Sequence, residues 1–441
     1  MTGRFAWAGL SSLALIAIGV MALGFKRAPQ APRSPAHLVA LPPTSTPTLA
    51  QANPVPTSVL PLATGDATTT PKPTKTVAPQ TGAPALPLPA PQNTMAAATE
   101  NDQPQNEGIA VLTYHRIAQS PRVYTVTTPE QFEAQMAFLH QHDFHVVTLN
   151  SVLKALTSGE PLPRRAVVLT FDDGYADCFS HVWPILKRYK FPATLFIYPA
   201  YIGNGAAALS WAQLSALQRS GLFDVQCHTL THPVLSRREN DESNDQYEAR
   251  LKRELETSKA ELESHLNIRV TQLAFPYGAY DEAVLRATKR AGYEAAWTVN
   301  EAPVASALDD NQTLWTLPRE VMNREDSLDD FAAKVQSAPL TLSEMAPRPN
   351  TSVASPEEIC AVLGEDVRPD SVVMSLGRTF VDARYNPRTR AMTYHLSKPL
   401  RAGAYPVNIV ARDQSGRPLR ASWEFVAQRA KRTVEGSAGR S

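Results

Sequence analysis

The sequence predicts an α/β protein: a distorted (β/α) barrel over residues 108–339, then a small all-β sandwich over residues 356–428. Three observations predict it. Short aliphatic and β-branched runs such as Val167-Val168-Leu169-Thr170-Phe171 recur between polar turns, as in strands buried on both faces. Segments with apolar residues at helical spacing lie between them, and strand–helix alternation over about 230 residues reads as a barrel. Beyond residue 355 the pattern changes to short alternating runs with turn residues about every 8–12 positions, which reads as a sandwich.

The barrel opens with Ile109-Ala110-Val111-Leu112-Thr113-Tyr114, a buried-type strand ending at His115. A helix follows, with Thr128 as cap, Pro129 in the first position and Gln131 completing a capping box. Phe132, Met136 and Leu139 form its inward stripe. His140, His142 and His145 crowd its far end, where a solvated, dipole-favoured cluster is the expected reading. The strand at 167–171 leads to a helix over 177–189, and 193–198 is again strand-like. Ser210 caps a helix anchored by Trp211, Leu214 and Leu217. Residues 222–227 form a further strand. Residues 246–266 read as a long amphipathic helix with Leu251, Leu255, Leu262 and Leu266 inward and its many charges on a solvated face. A strand ends at Phe275-Pro276-Tyr277-Gly278, and the helix over 281–291 stops at Gly292. Two short strands near 295–299 and 313–317 complete the set.

Outside the barrel, residues 5–25 carry no charge and are long enough, at 1.5 Å per residue, to span a hydrocarbon core of roughly 30 Å. An uncleaved membrane anchor over 1–27 is therefore expected, with a cleaved signal segment as the alternative. Residues 28–107 are rich in Pro, Thr and Ala and read as a disordered tether with a reach of up to roughly 200 Å. Residues 340–355 read as a shorter linker, and 429–441 as a disordered tail. A net charge of +1 and the lack of a basic stripe exclude a nucleic-acid partner. The three cysteines, Cys178, Cys227 and Cys360, lack the spacing of a zinc site or a disulfide framework and read as small core residues. A bridge between Cys178 and Cys227 is left open.

The chemistry gathers at strand ends. Asp172 and Asp173 follow the 167–171 strand, and Gly174 supplies the break that lets both carboxylates face one site. Alone, the pair is equally well a solvated turn. At the end of another strand lie His228 and His232, four positions apart, and two imidazoles at that spacing converge on one cation if the segment turns. Two imidazoles and a carboxylate would leave coordination positions open for water and substrate, as a catalytic site requires.

Thr170-Phe171-Asp172-Asp173-Gly174, His228-x-x-x-His232 and Phe275-Pro276-Tyr277-Gly278, in that order, resemble the motifs of the polysaccharide deacetylase (NodB-homology) family. The resemblance implies seven barrel strands and hydrolysis of N-acetyl groups on an N-acetylhexosamine polysaccharide such as poly-N-acetylglucosamine, chitin-like or peptidoglycan glycan. It further implies Asp172 as general base, Asp173, His228 and His232 as ligands of a divalent metal (zinc, with cobalt or nickel as alternatives), and an oxyanion contact at the backbone near Tyr277. The chain departs from the family twice. Where the family has an Arg that steadies the base, this chain has Ala274, and Arg319 in Leu317-Pro318-Arg319-Glu320 is the expected substitute. The late motif that supplies the catalytic acid is missing, and Leu112-Thr113-Tyr114-His115 would supply it in the permuted order of poly-N-acetylglucosamine deacetylases, with His115 as acid. The alternatives are O-acetyl ester or cyclic amide hydrolysis at the same site, or a non-catalytic wall-binding protein. The Pro-Leu-x-x-Gly-x-Tyr run and Trp423-x-Phe425 resemble immunoglobulin-like modules, with glycan or protein contact as expected uses. A bacterial membrane protein with its catalytic domain outside the cytoplasm is the expected setting.

Overall fold

The computed structural model describes residues 108–120, 123–308 and 312–428. The expected anchor, the Pro-rich tether and the C-terminal tail lie outside the described residues. Among the described residues, no helix is long and apolar enough to cross a membrane.

The core of the barrel is a sheet of seven parallel strands: β1 (Ala110–Tyr114), β2 (Ala166–Asp172), β3 (Ala193–Ile197), β4 (Phe223–Cys227), β5 (Gln272–Ala274), β6 (Ala295–Trp297) and β7 (Glu320–Val321). Their order is β7-β1-β2-β3-β4-β5-β6, and a short strand, His145–Val146, adds to the lower half of β2. Every residue of β1, β2 and β3 is buried, which is why these strands read as unbroken apolar runs. Helices pack outside. The Pro129–Gln141 helix has its capping box at Thr128 and Gln131 and buries Phe132, Met136 and Leu139. His140, His142 and His145 are exposed, as a solvated helix end should be. Cys178 and Cys227 are buried free thiols.

The last strand departs from expectation. Regular pairing was expected over 313–317, but the strand lies at Glu320–Val321, and Leu317 makes only an isolated bridge to Trp297. Pro318 is the cause: it has no N–H to donate, so the segment switches partners there. Leu317 bonds to β6 (Leu317 N to Ala296 O, 3.0 Å; Thr298 N to Leu317 O, 2.8 Å), and three residues later the chain pairs Glu320 and Val321 with Leu112 and Thr113 of β1. One kinked segment thus joins the two edges of the barrel.

The expected linker over 340–355 is also a correction. It supplies two strands, Leu342–Ala346 against Glu358–Leu363 and Ser352–Ala354 against Pro418–Gln428. Its low apolar content is that of half-exposed edge strands around a proline turn, not of a free tether. Together with Ala338–Pro339 these strands complete two sheets that enclose their own core, including Ile359, Met374, Val407, Ile409, Trp423 and Phe425. Trp423 and Phe425 are buried there, as core residues rather than a surface platform.

Candidate metal centre and active site

The site lies at the C-terminal ends of the barrel strands. β2 delivers Asp172 and Asp173, β4 delivers His228, and the loop after β4 turns back to bring His232 beside it. Asp173 Oδ1 lies 3.7 Å from His228 Nε2 and 3.3 Å from His232 Nε2. Bonds of about 2.0–2.1 Å at tetrahedral angles place donor atoms about 3.3 Å apart, so the triangle has the size a small divalent cation needs. Asp173 Oδ1 is buried without a hydrogen-bond partner, and these three residues form a group whose ligand atoms all lie within 4.8 Å of one another. His228 Nδ1 lies 2.8 Å from the Ala274 carbonyl, so it donates there and leaves the lone pair of Nε2 facing Asp173. The residues present therefore fit a cation.

The backbone is strained at this site. Asp173 (φ 76°), Thr229 (φ 68°), His232 (φ 62°) and Tyr277 (φ 59°) all sit in the left-handed region. Four such non-glycine residues around one cluster mark a place where side-chain direction outweighs backbone comfort. Asp173 N donates to Phe196 O (3.0 Å) and His228 N to Ile197 O (2.8 Å), so the strand ladder continues up to the point where each loop leaves.

Asp172 is fully buried and held by Arg319 through two parallel hydrogen bonds, Nη1 to Oδ1 and Nη2 to Oδ2, both 2.8 Å. Arg319 is itself fully buried, donates from Nε to Thr298 O (3.0 Å) and lies over the Phe196 ring. Burial alone would raise the Asp172 carboxyl. The Arg319 guanidinium, with His228 behind it, outweighs burial and holds it at about 2. Burial lowers His228 to about 4 against the pull of Asp172 and Asp173, and lowers His232 in the same direction. Both imidazoles are thus neutral near pH 7, the state that ligates metal. Ala274, where the family places its Arg, is buried in β5, and Arg319 reaches the carboxylate from the opposite edge of the barrel.

His115 follows β1, its Nδ1 buried without a partner, and its charge bears on both Asp172 and His232. Tyr277 stands at the mouth, 62% exposed, its ring 4.8 Å from that of His232. Gly278 follows with φ 70°, and a Cβ there would meet Val299 Cγ2 at 2.5 Å, so only glycine fits this turn.

Two features escaped the sequence reading. Glu254, expected on a solvated helix face, is buried: Oε2 accepts from Leu230 N (3.1 Å) and Thr231 N (2.9 Å), and Oε1 from the Thr231 hydroxyl (2.8 Å). It ties down the loop between the two histidines. The long helix is interrupted there by a π-helical turn, Arg253–Thr257, which re-aims the side chain inward. The available signal was its position three residues after the inward Leu251. The second feature is a tyrosine rim: Tyr198 lies 5.1 Å from His232, Tyr201 stacks on Tyr198 at 5.3 Å, and Tyr175 meets Tyr201 edge-on at 5.6 Å.

Residues 159–296 match the family described as polysaccharide deacetylase. Similar proteins include a putative polysaccharide deacetylase, YxkH, of Bacillus subtilis, 27% identical over 52% of this chain and 76% of that protein. Another is a poly-beta-1,6-N-acetyl-D-glucosamine N-deacetylase of Staphylococcus epidermidis, 27% identical over 46% of this chain and 69% of its own length. Among solved structures, the Streptococcus pyogenes deacetylase PplD in complex with acetate is 25% identical, covering 52% of this chain and 99% of that one, with a TM-score of 0.47. The matched stretch takes in both acids, both histidines and the Phe275–Gly278 turn, and over it this chain is similar to the polysaccharide deacetylase family.

Proposed function

We propose that this chain hydrolyses N-acetyl groups on a poly-N-acetylglucosamine-type polysaccharide, the β-1,6-linked polymer being the first substrate to test, and releases acetate. The observation that carries the reading is a buried, arginine-held carboxylate, Asp172, next to the Asp173–His228–His232 triangle. A divalent cation held by Asp173, His228 and His232, zinc first with cobalt or nickel as alternatives, would supply Lewis-acid polarisation of the acetamide carbonyl and ease ionisation of water. Asp172 takes a proton from the water that attacks the carbonyl carbon. Arg319 keeps that carboxylate ionised and aimed. The backbone N–H near Tyr277 donates to the developing oxyanion, a contact of the kind worth about 3–4 kcal/mol. His115 gives a proton to the sugar nitrogen as the C–N bond breaks, so an amine and acetate leave. The tyrosine rim offers flat apolar faces to pyranose rings, which favours a sugar polymer over a small cyclic amide. The C-terminal sandwich is read as an immunoglobulin-like module, and the whole as an envelope enzyme tethered to the outer face of the cytoplasmic membrane.

The test is acetate release from β-1,6-linked N-acetylglucosamine oligomers, chito-oligosaccharides and acetylxylan, with and without chelator. Chelator-sensitive release from a glucosamine polymer is expected. Preference for acetylxylan would make the site an esterase. Glycan binding without acetate release would make the barrel a binding module.

A further inference from the structure

Arg319 holds Asp172, but what holds Arg319 is a short piece of chain. Residues 317–321 touch β6 at Leu317 and β1 at Glu320 and Val321, with Pro318 leaving a gap between. Side chains alternate along an extended segment, so while Arg319 points into the barrel, Glu320 points out. It points at the sandwich. Arg420, on the Pro418–Gln428 strand, places Nε 3.0 Å from Glu320 Oε1 and donates from Nη2 to Glu301 Oε2 at 3.3 Å. Glu301 lies four residues beyond β6. One guanidinium therefore grips acids from both sides of the barrel's closing segment. Its own backbone is fixed: Leu340 N donates to Arg420 O (2.8 Å), and Ala338–Pro339 pairs with Leu419 and Arg420.

Glu320 is fully buried, and neither carboxylate oxygen has an aligned hydrogen bond. Burial raises its carboxyl while Arg420 pulls it back down, with Lys334 helping and Glu301 and Asp326 opposing. Lys334 is otherwise engaged, with Val321 O at 2.7 Å and Asp326 at 2.8 Å. A buried carboxylate without hydrogen bonds is costly, so the sandwich's cation is the part that makes this acid tolerable where it stands.

We propose that the sandwich is a working part of the active site: Arg420 clamps Glu301 and Glu320, fixes the segment that carries Arg319, and so positions Asp172. This rests on the deacetylase reading for its effect on rate, though not for its effect on the strand. Arg420 is a positioning residue that touches no substrate.

Five variants of the full chain test it: R420M, R420K, the neutral pair E320Q/R420Q, and R319K alone and combined with R420M. In R420M, kcat for acetate release is expected to fall about 10–100-fold, the loss usual when support behind a site residue is removed, with KM steady within about two-fold. R420K should recover most of it. The neutral pair leaves no unpaired buried charge and should fold, yet kcat should stay low. If it returns to the wild-type value, R420M was harmful only as a folding defect, and the clamp is overturned. Adding R420M to R319K should cost less than about two-fold, because both changes break one chain of contacts; full additivity overturns the proposal. Deuterium exchange at Leu317–Met322 needs no substrate and should quicken in R420M and in the neutral pair. Unchanged exchange refutes the clamp. If the wild-type chain releases no acetate, the deacetylase reading fails and this exchange measurement alone decides the clamp.

Discussion

Replacing Arg319 by Met would remove both 2.8 Å hydrogen bonds to Asp172 and leave a fully buried carboxylate with only His228, whose Nε2 is 3.9 Å away. Breaking a buried pair by deleting one partner costs about 3–5 kcal/mol, because the remaining charge stays desolvated. That is a large part of the roughly 5–15 kcal/mol that holds an ordinary domain together. R319M should therefore lose about 3–5 kcal/mol in urea denaturation of chelator-treated protein, followed by the fluorescence of the buried Trp297. Removing the charge as well, in D172N/R319M, should restore at least about 2 kcal/mol, since two neutral groups of similar size carry no Born penalty. In the metal-loaded enzyme, R319M should lower kcat about 100-fold or more while leaving the Asp173–His228–His232 ligand set intact. A loss of stability under about 1 kcal/mol, or a double variant no more stable than the single, would refute the account of Arg319 as the counter-charge of Asp172.

Other outcomes follow from the same geometry. D173N should weaken zinc binding about 10–100-fold or more in a competition assay with a chromophoric chelator, and acetate release should fall with it. H115N should keep metal affinity and lower kcat about 100-fold or more, measured with saturating substrate. G278A forces a Cβ to within 2.5 Å of Val299 Cγ2 at φ 70°, so the turn that carries Tyr277 must shift. Its kcat should drop while metal content by atomic emission is unchanged. Burial raises Glu424, in the sandwich, to about 7 from its usual 4.5. The folded state then binds the proton more tightly than the unfolded one, so stability is fully present below pH 4.5 and is lost as pH rises towards 7. Allowing for the residue's partial exposure, E424Q should be more stable than wild type by about 2 kcal/mol at pH 8 and equal to it at pH 4, read by urea midpoints.

Asp172, Asp173, His228 and His232 were legible because each stands at the end of a run whose apolar pattern announces a strand, and strand ends in a parallel barrel share one face. Arg319 was legible from an absence, the Ala274 position, joined to a basic residue just past the last strand. Glu254 was not. One acid among many on a charged helix reads as solvated, and its place three residues after the inward Leu251 is a signal that the surrounding charges outweigh. Residues 340–355 look like a linker for a similar reason: edge strands half-covered by a partner sheet need few apolar residues, so composition alone mistakes them for coil. Arg420 lies about 100 residues from Arg319, and no local pattern reports an ion pair made across two domains. The three tyrosines of the rim come from two separate loops and gather only once the barrel closes.

Chains are made from the N-terminus, so the strand Pro418–Gln428, which holds Arg420 and pairs with Ala338–Pro339, emerges after every residue of the barrel. A polypeptide halted before residue 420 already owns every ligand of the cation triangle, yet Glu320 would be left in the fold without its counter-charge. Under the proposed clamp, the barrel's closing segment waits on a strand made about 100 residues after it, so a chain cut before Arg420 should lose acetate release and not just an accessory module.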